Sequence, residues 1–169
     1  MSAGTLISLE EYLHTSYSPE REYRDGVLVE RNVGDNAHAK LMGLLTTYMN
    51  RRRKAWKILA YLELRVKMRE NWYPVPDVCV YPEPIPTERY PSQPPLLWIE
   101  IVSQDDRLVD LWEKAAELVK CGVPYVWIIE PNTLKSELHT ADGILAVPDQ
   151  TLRLADSPIV IPLVEVVEE

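Results

Sequence analysis

The stretch LLWIEIVSQDDRLVDLWEKAAELVKCGVPYVWIIE, residues 96–130, decides the fold. It opens with the bulky apolar side chains of Leu96, Leu97, Trp98, Ile99, Ile101 and Val102, preceded by Pro94-Pro95 and closed by Ser103. Such a run reads as a strand covered on both faces. A helix is expected from about Arg107 to Lys120, with Leu108, Leu111, Trp112, Ala115, Leu118 and Val119 as its apolar stripe and Gly122 as the C′ residue. Tyr125–Glu130 (YVWIIE) reads as a second buried strand. Strand, helix, strand in that order needs a crossover, so the two strands are expected to be parallel neighbours.

One residue does not belong in that run. Glu100 sits in the middle of it. An ionised carboxylate in a dry interior is costly unless it is paired, hydrogen-bonded or bound to a metal. Glu100 therefore needs a partner.

Working outward, Ser8 with Glu11 makes a capping box for a short helix from Leu9 to about His14. REYRDGVLVERNV (21–33) reads as a hairpin turning at Asp25-Gly26. A helix is expected from about Ala37 to Arg52, with Leu41, Met42, Leu45, Tyr48 and Met49 as its stripe. Ile58–Met68 reads as a half-buried strand, with Leu62, Leu64, Val66 and Met68 inward and Glu63, Arg65 and Lys67 outward. Pro76 introduces another strand over Asp77–Tyr81, and six prolines in the fourteen residues 82–95 make a stiff loop. Downstream, a hairpin is expected around Ala141-Asp142-Gly143 and a further strand near Ile159–Leu163. Helix, three strands, helix, strand reads as α/β with a mixed central sheet flanked by helices. No internal repeat interrupts it, and the 169 residues suit a single domain with a core over about 20–135 and a C-terminal strand extension over 136–169.

Composition narrows the classes. Hydrophobic residues make up 46%, which excludes a disordered chain. No apolar stretch is long enough to span a bilayer. MSAGTLISLEEYL lacks the basic start and apolar core of a secretory leader. Cys79 and Cys121 have no metal-type spacing and read as reduced thiols of a cytoplasmic protein. A formal net charge of −8 argues against a protein that simply coats nucleic acid, but not against a nucleic-acid enzyme, where the local field matters more. RRRKAWK (51–57) concentrates cations, either to complement a helix C-terminus or to contact phosphates.

Asp77 begins the strand before that of Glu100. If the two strands are neighbours, the carboxylates converge, and both stay ionised only beside a compensating cation. Oxygen ligands of this kind suit Mg²⁺, and the Ile101 carbonyl could add a third. The alternatives are a core ion pair or a carboxyl kept neutral by burial. Lys114 falls at the edge of its helix's stripe, beside Leu111 and Leu118, where it can bury its stem and aim its ammonium at the sheet. There it could orient a water or stabilise charge on phosphate oxygens. Its alternatives are an ordinary snorkelling lysine or an i,i+3 pair with Glu117. His38 lies in line with Leu41, Met42 and Leu45, as a core histidine would, and Glu22 before the DG turn reads as a solvated strand residue.

PVPDVCVY, LLWIEIVS and DLWEKAAELVKCGVPYVWIIEP together resemble the Uma2 family, also called DUF820, of the PD-(D/E)XK nuclease superfamily. EYRDGVLVE resembles that family's Tyr-Glu-x-x-Asp-Gly segment, and AHAKLMGLL its His-led helix. The similarity runs from about residue 8 to 135. It implies a restriction-endonuclease-like core (αβββαβ) and Mg²⁺-dependent hydrolysis of DNA phosphodiester bonds, with Mn²⁺ as a substitute. By position, Asp77, Glu100 and Lys114 would be catalytic, and Asp77, Glu100 and the Ile101 carbonyl would hold the metal. A water made more acidic by the cation would be the nucleophile. The wider superfamily carries its lysine two residues after the strand glutamate; here that position is Val102, and Lys114 would take its place. The resemblance also raises Glu22 and His38 as auxiliary site residues. A homodimer would suit cutting both strands of a duplex. Two other readings stay open: a nuclease-like scaffold that only binds nucleic acid or protein, and a glycosidase using the two carboxylates as acid and base beside an aromatic groove.

Overall fold

A computed structural model describes residues 5–169; the N-terminal reading above rests partly on residues 1–4, outside the described ones. In chain order the elements are β1 (Thr5–Leu6), α1 (Leu9–Leu13), β2 (Glu22–Arg24), β3 (Val27–Val29), α2 (Asn36–Arg51), α3 (Arg53–Trp56), β4 (Ile58–Leu62), β5 (Trp72–Tyr73), β6 (Val78–Pro82), β7 (Leu97–Ile101), α4 (Leu108–Lys120), β8 (Tyr125–Ile129), β9 (Ser136–Thr140), β10 (Gly143–Ala146), β11 (Thr151–Arg153), β12 (Val160–Pro162) and α5 (Leu163–Glu168).

A six-stranded sheet in the order β10-β9-β8-β7-β6-β4 forms the centre. β7 and β8 are parallel, as the α4 crossover requires, and every other neighbouring pair in this sheet is antiparallel. The elements α2, β4, β6, β7, α4 and β8 give the αβββαβ order of a restriction-endonuclease-like fold. Side chains of β7 alternate between two cores. Leu97, Ile99 and Ile101 pack with Leu41, Leu45, Leu163 and Val166, under α2 and α5. Trp98 packs on the opposite face with Val126, Ile128, Ala115 and Leu118, under α4. Each such aliphatic side chain contributes roughly 1.5–3 kcal/mol when fully buried. Glu100 has the same parity as Trp98, so it shares the face of α4.

The local signals act as read. Ser8 caps α1 by accepting from the Glu11 N–H at 3.1 Å. Asp25 (φ 50°) and Gly26 (φ 85°) both take positive φ in the two-residue β2–β3 turn. Gly122, at φ 103°, ends α4 with its N–H on the Val119 carbonyl and the Val123 N–H on that of Leu118, a Schellman arrangement.

The strand expected over Ile58–Met68 is shorter. β4 ends at Leu62, which is 47% exposed, and Glu63 (φ 46°) turns the chain out of the sheet. Residues 64–68 then cross toward a second, four-stranded sheet, β1-β3-β2-β5. Arg65, expected outward, is buried instead. Its guanidinium is met there by Glu20 and by the carbonyls of Tyr12 and Thr15. In the tail, β9 and β10 extend the central sheet, while β11 and β12 pair separately before α5.

Candidate active site

Strand register brings the two acids face to face. β6 and β7 pair Val78 with Ile99, so one step further sets Asp77 opposite Glu100. The Val102 N–H donates to the Ile129 carbonyl at 2.9 Å, while the Ile101 N–H points the other way and donates to Asp77 Oδ2 at 2.7 Å. In an extended strand a residue's carbonyl projects to the same edge as its N–H, so the Ile101 C=O also faces the Asp77 side.

Asp77 is 4% exposed and fully engaged. Arg31 Nη2 lies 2.7 Å from Oδ1, and His38 Nε2 3.2 Å from Oδ2. His38 is aimed by the start of α2, where Asp35 accepts from its N–H at 3.0 Å. Burial opposes ionisation of Asp77, but the His38 hydrogen bond and the charges of His38 and Arg31 outweigh it and lower the pKa. Burial likewise opposes a charged His38, and the hydrogen bond to Asp77 overcomes it, raising the imidazole.

Glu100 is engaged through one oxygen. Trp98 Nε1 donates to Oε1 at 2.7 Å, and Lys114 Nζ sits 2.6 Å from the same atom. Lys114 also reaches Glu22 Oε1 at 2.6 Å, and that oxygen accepts from the Val75 N–H at 3.0 Å. Among the described residues, neither Glu100 Oε2 nor Glu22 Oε2 accepts a hydrogen bond. Burial, with Asp77 and Glu22 adding to it, raises the Glu100 pKa against the pull of Lys114. Burial of the ammonium is outweighed by Glu100 and Glu22, so the Lys114 pKa is raised and the group stays charged.

These side chains line one cleft of about 410 Å³. Its wall carries Glu22, Glu30, Asp77, Glu100, Asp105, Asp106 and Asp110 against Arg31, Arg107 and Lys114. The field inside therefore favours cations. Among the described residues no Trp or Tyr side chain lines it; Trp72 and Trp127 are buried outside its lining, and the buried Trp98 meets Glu100 only through its indole N–H, so the sugar groove of a glycosidase is not supported.

The Uma2 family profile, described as "Putative restriction endonuclease", matches residues 9–165. The chain belongs to the Uma2 family. A solved structure described as a putative nuclease belonging to DUF820, from Anabaena variabilis ATCC 29413, superposes with a TM-score of 0.78 at 20% sequence identity, over 96% of this chain and 98% of that one. At that identity the likeness shows the shared fold. None of the curated proteins searched matches.

The expected Uma2 residues Asp77, Glu100, Ile101, Lys114, Glu22 and His38 thus all line the same cleft. Glu22, read from its neighbours as solvated, is buried beneath Lys114. Glu117 does not pair with Lys114; it takes Arg24 and Arg69 at 2.7 and 2.9 Å. The donor chemistry fits Mg²⁺: hard oxygens only, with one Glu100 oxygen free and a carbonyl at the same edge. Among the described residues no group of three or more His, Cys, Asp or Glu side chains makes a metal cage, and Mg²⁺ does not require one, because it keeps several waters.

One site residue lies outside the sequence reading. Arg31 was missed; only its place just after the hairpin, in the link to the His38 helix, could have pointed to it. The Arg51–Lys54 cations lie at the other end of α2, roughly 20 Å along the helix from His38. Arg52 stacks 3.5 Å over the Tyr48 ring and donates to the Tyr48 carbonyl at 3.0 Å, and both Arg51 and Arg52 pair with Glu169. That is the helix-end role.

No helix among the described residues is long and apolar enough to cross a membrane.

Proposed function

We propose that this Uma2 chain is a Mg²⁺-dependent endonuclease that hydrolyses DNA phosphodiester bonds. The observation that carries the reading is Lys114, held at 2.6 Å from both Glu22 and Glu100 at the floor of an acidic cleft that Asp77 shares. A structural ion pair needs one carboxylate, not a surplus of them.

The metal would be held by Asp77, Glu100 and the Ile101 carbonyl, and would supply phosphate charge neutralisation and a more acidic water. The chain's own residues prepare that place. Trp98 fixes Glu100 Oε1 and so leaves Oε2 as the outward donor. His38 and the Ile101 N–H fix Asp77 Oδ2. Lys114, charged and pinned by Glu22, can stabilise charge developing on a phosphate oxygen. The acidic wall repels a DNA backbone, so substrate binding should itself depend on a divalent cation. Two paired chains would offer one cleft to each strand of a duplex. Mn²⁺ should substitute for Mg²⁺, being an oxygen-seeking ion of the same charge.

A second reading is a nuclease-like scaffold that binds without cutting. One observation favours it: both Asp77 oxygens already have protein partners. Supercoiled-plasmid nicking in Mg²⁺ or Mn²⁺ separates the two. The endonuclease reading expects nicking by the wild type and none by Glu100→Gln or Lys114→Met. No nicking by the wild type in either metal, with DNA still bound, would favour the scaffold.

A further inference from the structure

Arg31 lies between β3 and α2, with its side chain 13% exposed. Its guanidinium is shared. Nη2 meets Asp77 Oδ1 at 2.7 Å inside the cleft, and Nη1 meets Glu63 Oε1 at 2.8 Å, on a carboxylate that does not itself line the cleft. Asp77 Oδ2 is already held by His38 and the Ile101 N–H. Oδ1 is the remaining oxygen, and Arg31 is its partner. A guanidinium does not lose its proton at any ordinary pH, so it cannot yield that oxygen by titration; it must move. Glu63, 43% exposed at the side chain, gives it an anchor if it does.

We propose that Arg31 occupies the cation position at Asp77 until a divalent metal displaces it, after which Glu63 holds it beside the cleft. The proposal rests on the metal-dependent reading above. It makes Arg31 a built-in competitor: the two cations want one oxygen, and their charges repel at that distance. Arg31 therefore sets how much metal the site needs. Once displaced, it is a guanidinium tethered to Glu63 beside the cleft, a group shaped to meet a phosphate.

The test is a calorimetric titration with Mn²⁺ and Mg²⁺ of the wild type, Arg31→Met, Arg31→Lys and Arg107→Met. Arg107 is the control. It lines the same cleft, is 75% exposed, and pairs with Asp110 at 3.8 Å and not with Asp77. Arg31→Met should bind metal at least about tenfold more tightly than the wild type, a difference calorimetry resolves. Arg31→Lys keeps the charge but loses the fork, and should fall between them. Arg107→Met should change affinity by less than about threefold, because exposed charges are screened. Equal tightening by Arg31→Met and Arg107→Met would mean a general field effect and would overturn the inference. So would a wild type that binds metal and an Arg31→Met that binds no more tightly; the metal site itself would then stand. Absence of binding in every protein, Arg31→Met included, would remove the metal-dependent reading and this inference with it. If circular dichroism shows that Arg31→Met does not fold, Arg31→Lys carries the test, and an affinity no tighter than wild type overturns the proposal.

Discussion

Arg65 is a buried cation and Lys114 a half-buried one, and the chain surrounds them differently. Arg65 has one carboxylate, Glu20, bonded through Nε and Nη2 at 3.0 and 2.7 Å. Its other contacts are the carbonyls of Tyr12 and Thr15 and the ring faces of Tyr12, Tyr17 and Tyr90, the first 4.3 Å away. Charge is balanced and the donors are nearly used up. Lys114 sits between two carboxylates, with Asp77 alongside, in a cleft whose wall carries more acid than base. Oxygens of Glu100 and Glu22 stay without hydrogen bonds among the described residues. Both sites answer the cost of burying charge. Only the second leaves an acid surplus facing solvent, which is the condition for taking up another cation.

The largest expected effect breaks the comparison most directly. Arg65→Met should cost about 3–5 kcal/mol of stability, because it leaves Glu20 and the carbonyls around it without their cation. Lys114→Met should cost a similar amount, but part of it should return with metal. Urea unfolding with and without Mn²⁺ measures both. The Mn²⁺-dependent gain should be larger in Lys114→Met than in Arg65→Met, where the cleft is unchanged. Equal gains would mean the two cations are equivalent after all.

A smaller effect separates positioning from chemistry. Asp35→Ala removes the N-cap of α2 and with it the contact that aims His38 at Asp77. It should cost about 1 kcal/mol in thermal or urea unfolding. It should weaken Mn²⁺ binding as well, which loss of a cap elsewhere in the chain would not do.

The smallest sharpens what sets a carboxylate's pKa. Glu130 is far less buried than Glu100, yet the two move in opposite directions. The slight burial of Glu130 works against ionisation, but hydrogen bonds from Thr133 and Asn132 pull it down to about 2. A depressed folded pKa gives stability that is present above the unfolded value of about 4.3 and is lost as pH falls through the folded one. Glu130→Gln should therefore flatten part of the fall in unfolding midpoint between about pH 4.3 and pH 2. An unchanged acid limb would mean those hydrogen bonds are not kept in solution.

Much of the candidate site was legible because its anomalies are local. Glu100 interrupts an apolar strand, Lys114 borders an apolar stripe, and Asp77 follows a proline that starts a strand. The crossover then forces β7 and β8 together, and a capping box, a DG turn and a C′ glycine mark their elements within a few residues. Arg31 gives no such signal. Its partners are 32 and 46 residues away, and it sits in a polar segment where an arginine is ordinary. Arg65 misled for the same reason: alternation along 58–68 put it outward, and only folding against α1 supplies its carbonyls. The two-residue strands β1 and β5 are too short to show a period. In α5, Leu163 and Val166 are buried at helical spacing, but a six-residue Val-rich segment carries little helical signal without the core it packs on.

Anomalous diffraction from a crystal soaked in Mn²⁺ tests the central claim most directly. The account predicts one strong peak within coordination distance of Asp77 and Glu100 Oε2, beside the Ile101 carbonyl, with Arg31 turned off Asp77 toward Glu63. A cleft with no peak, and Arg31 still on Asp77 at saturating Mn²⁺, would contradict it.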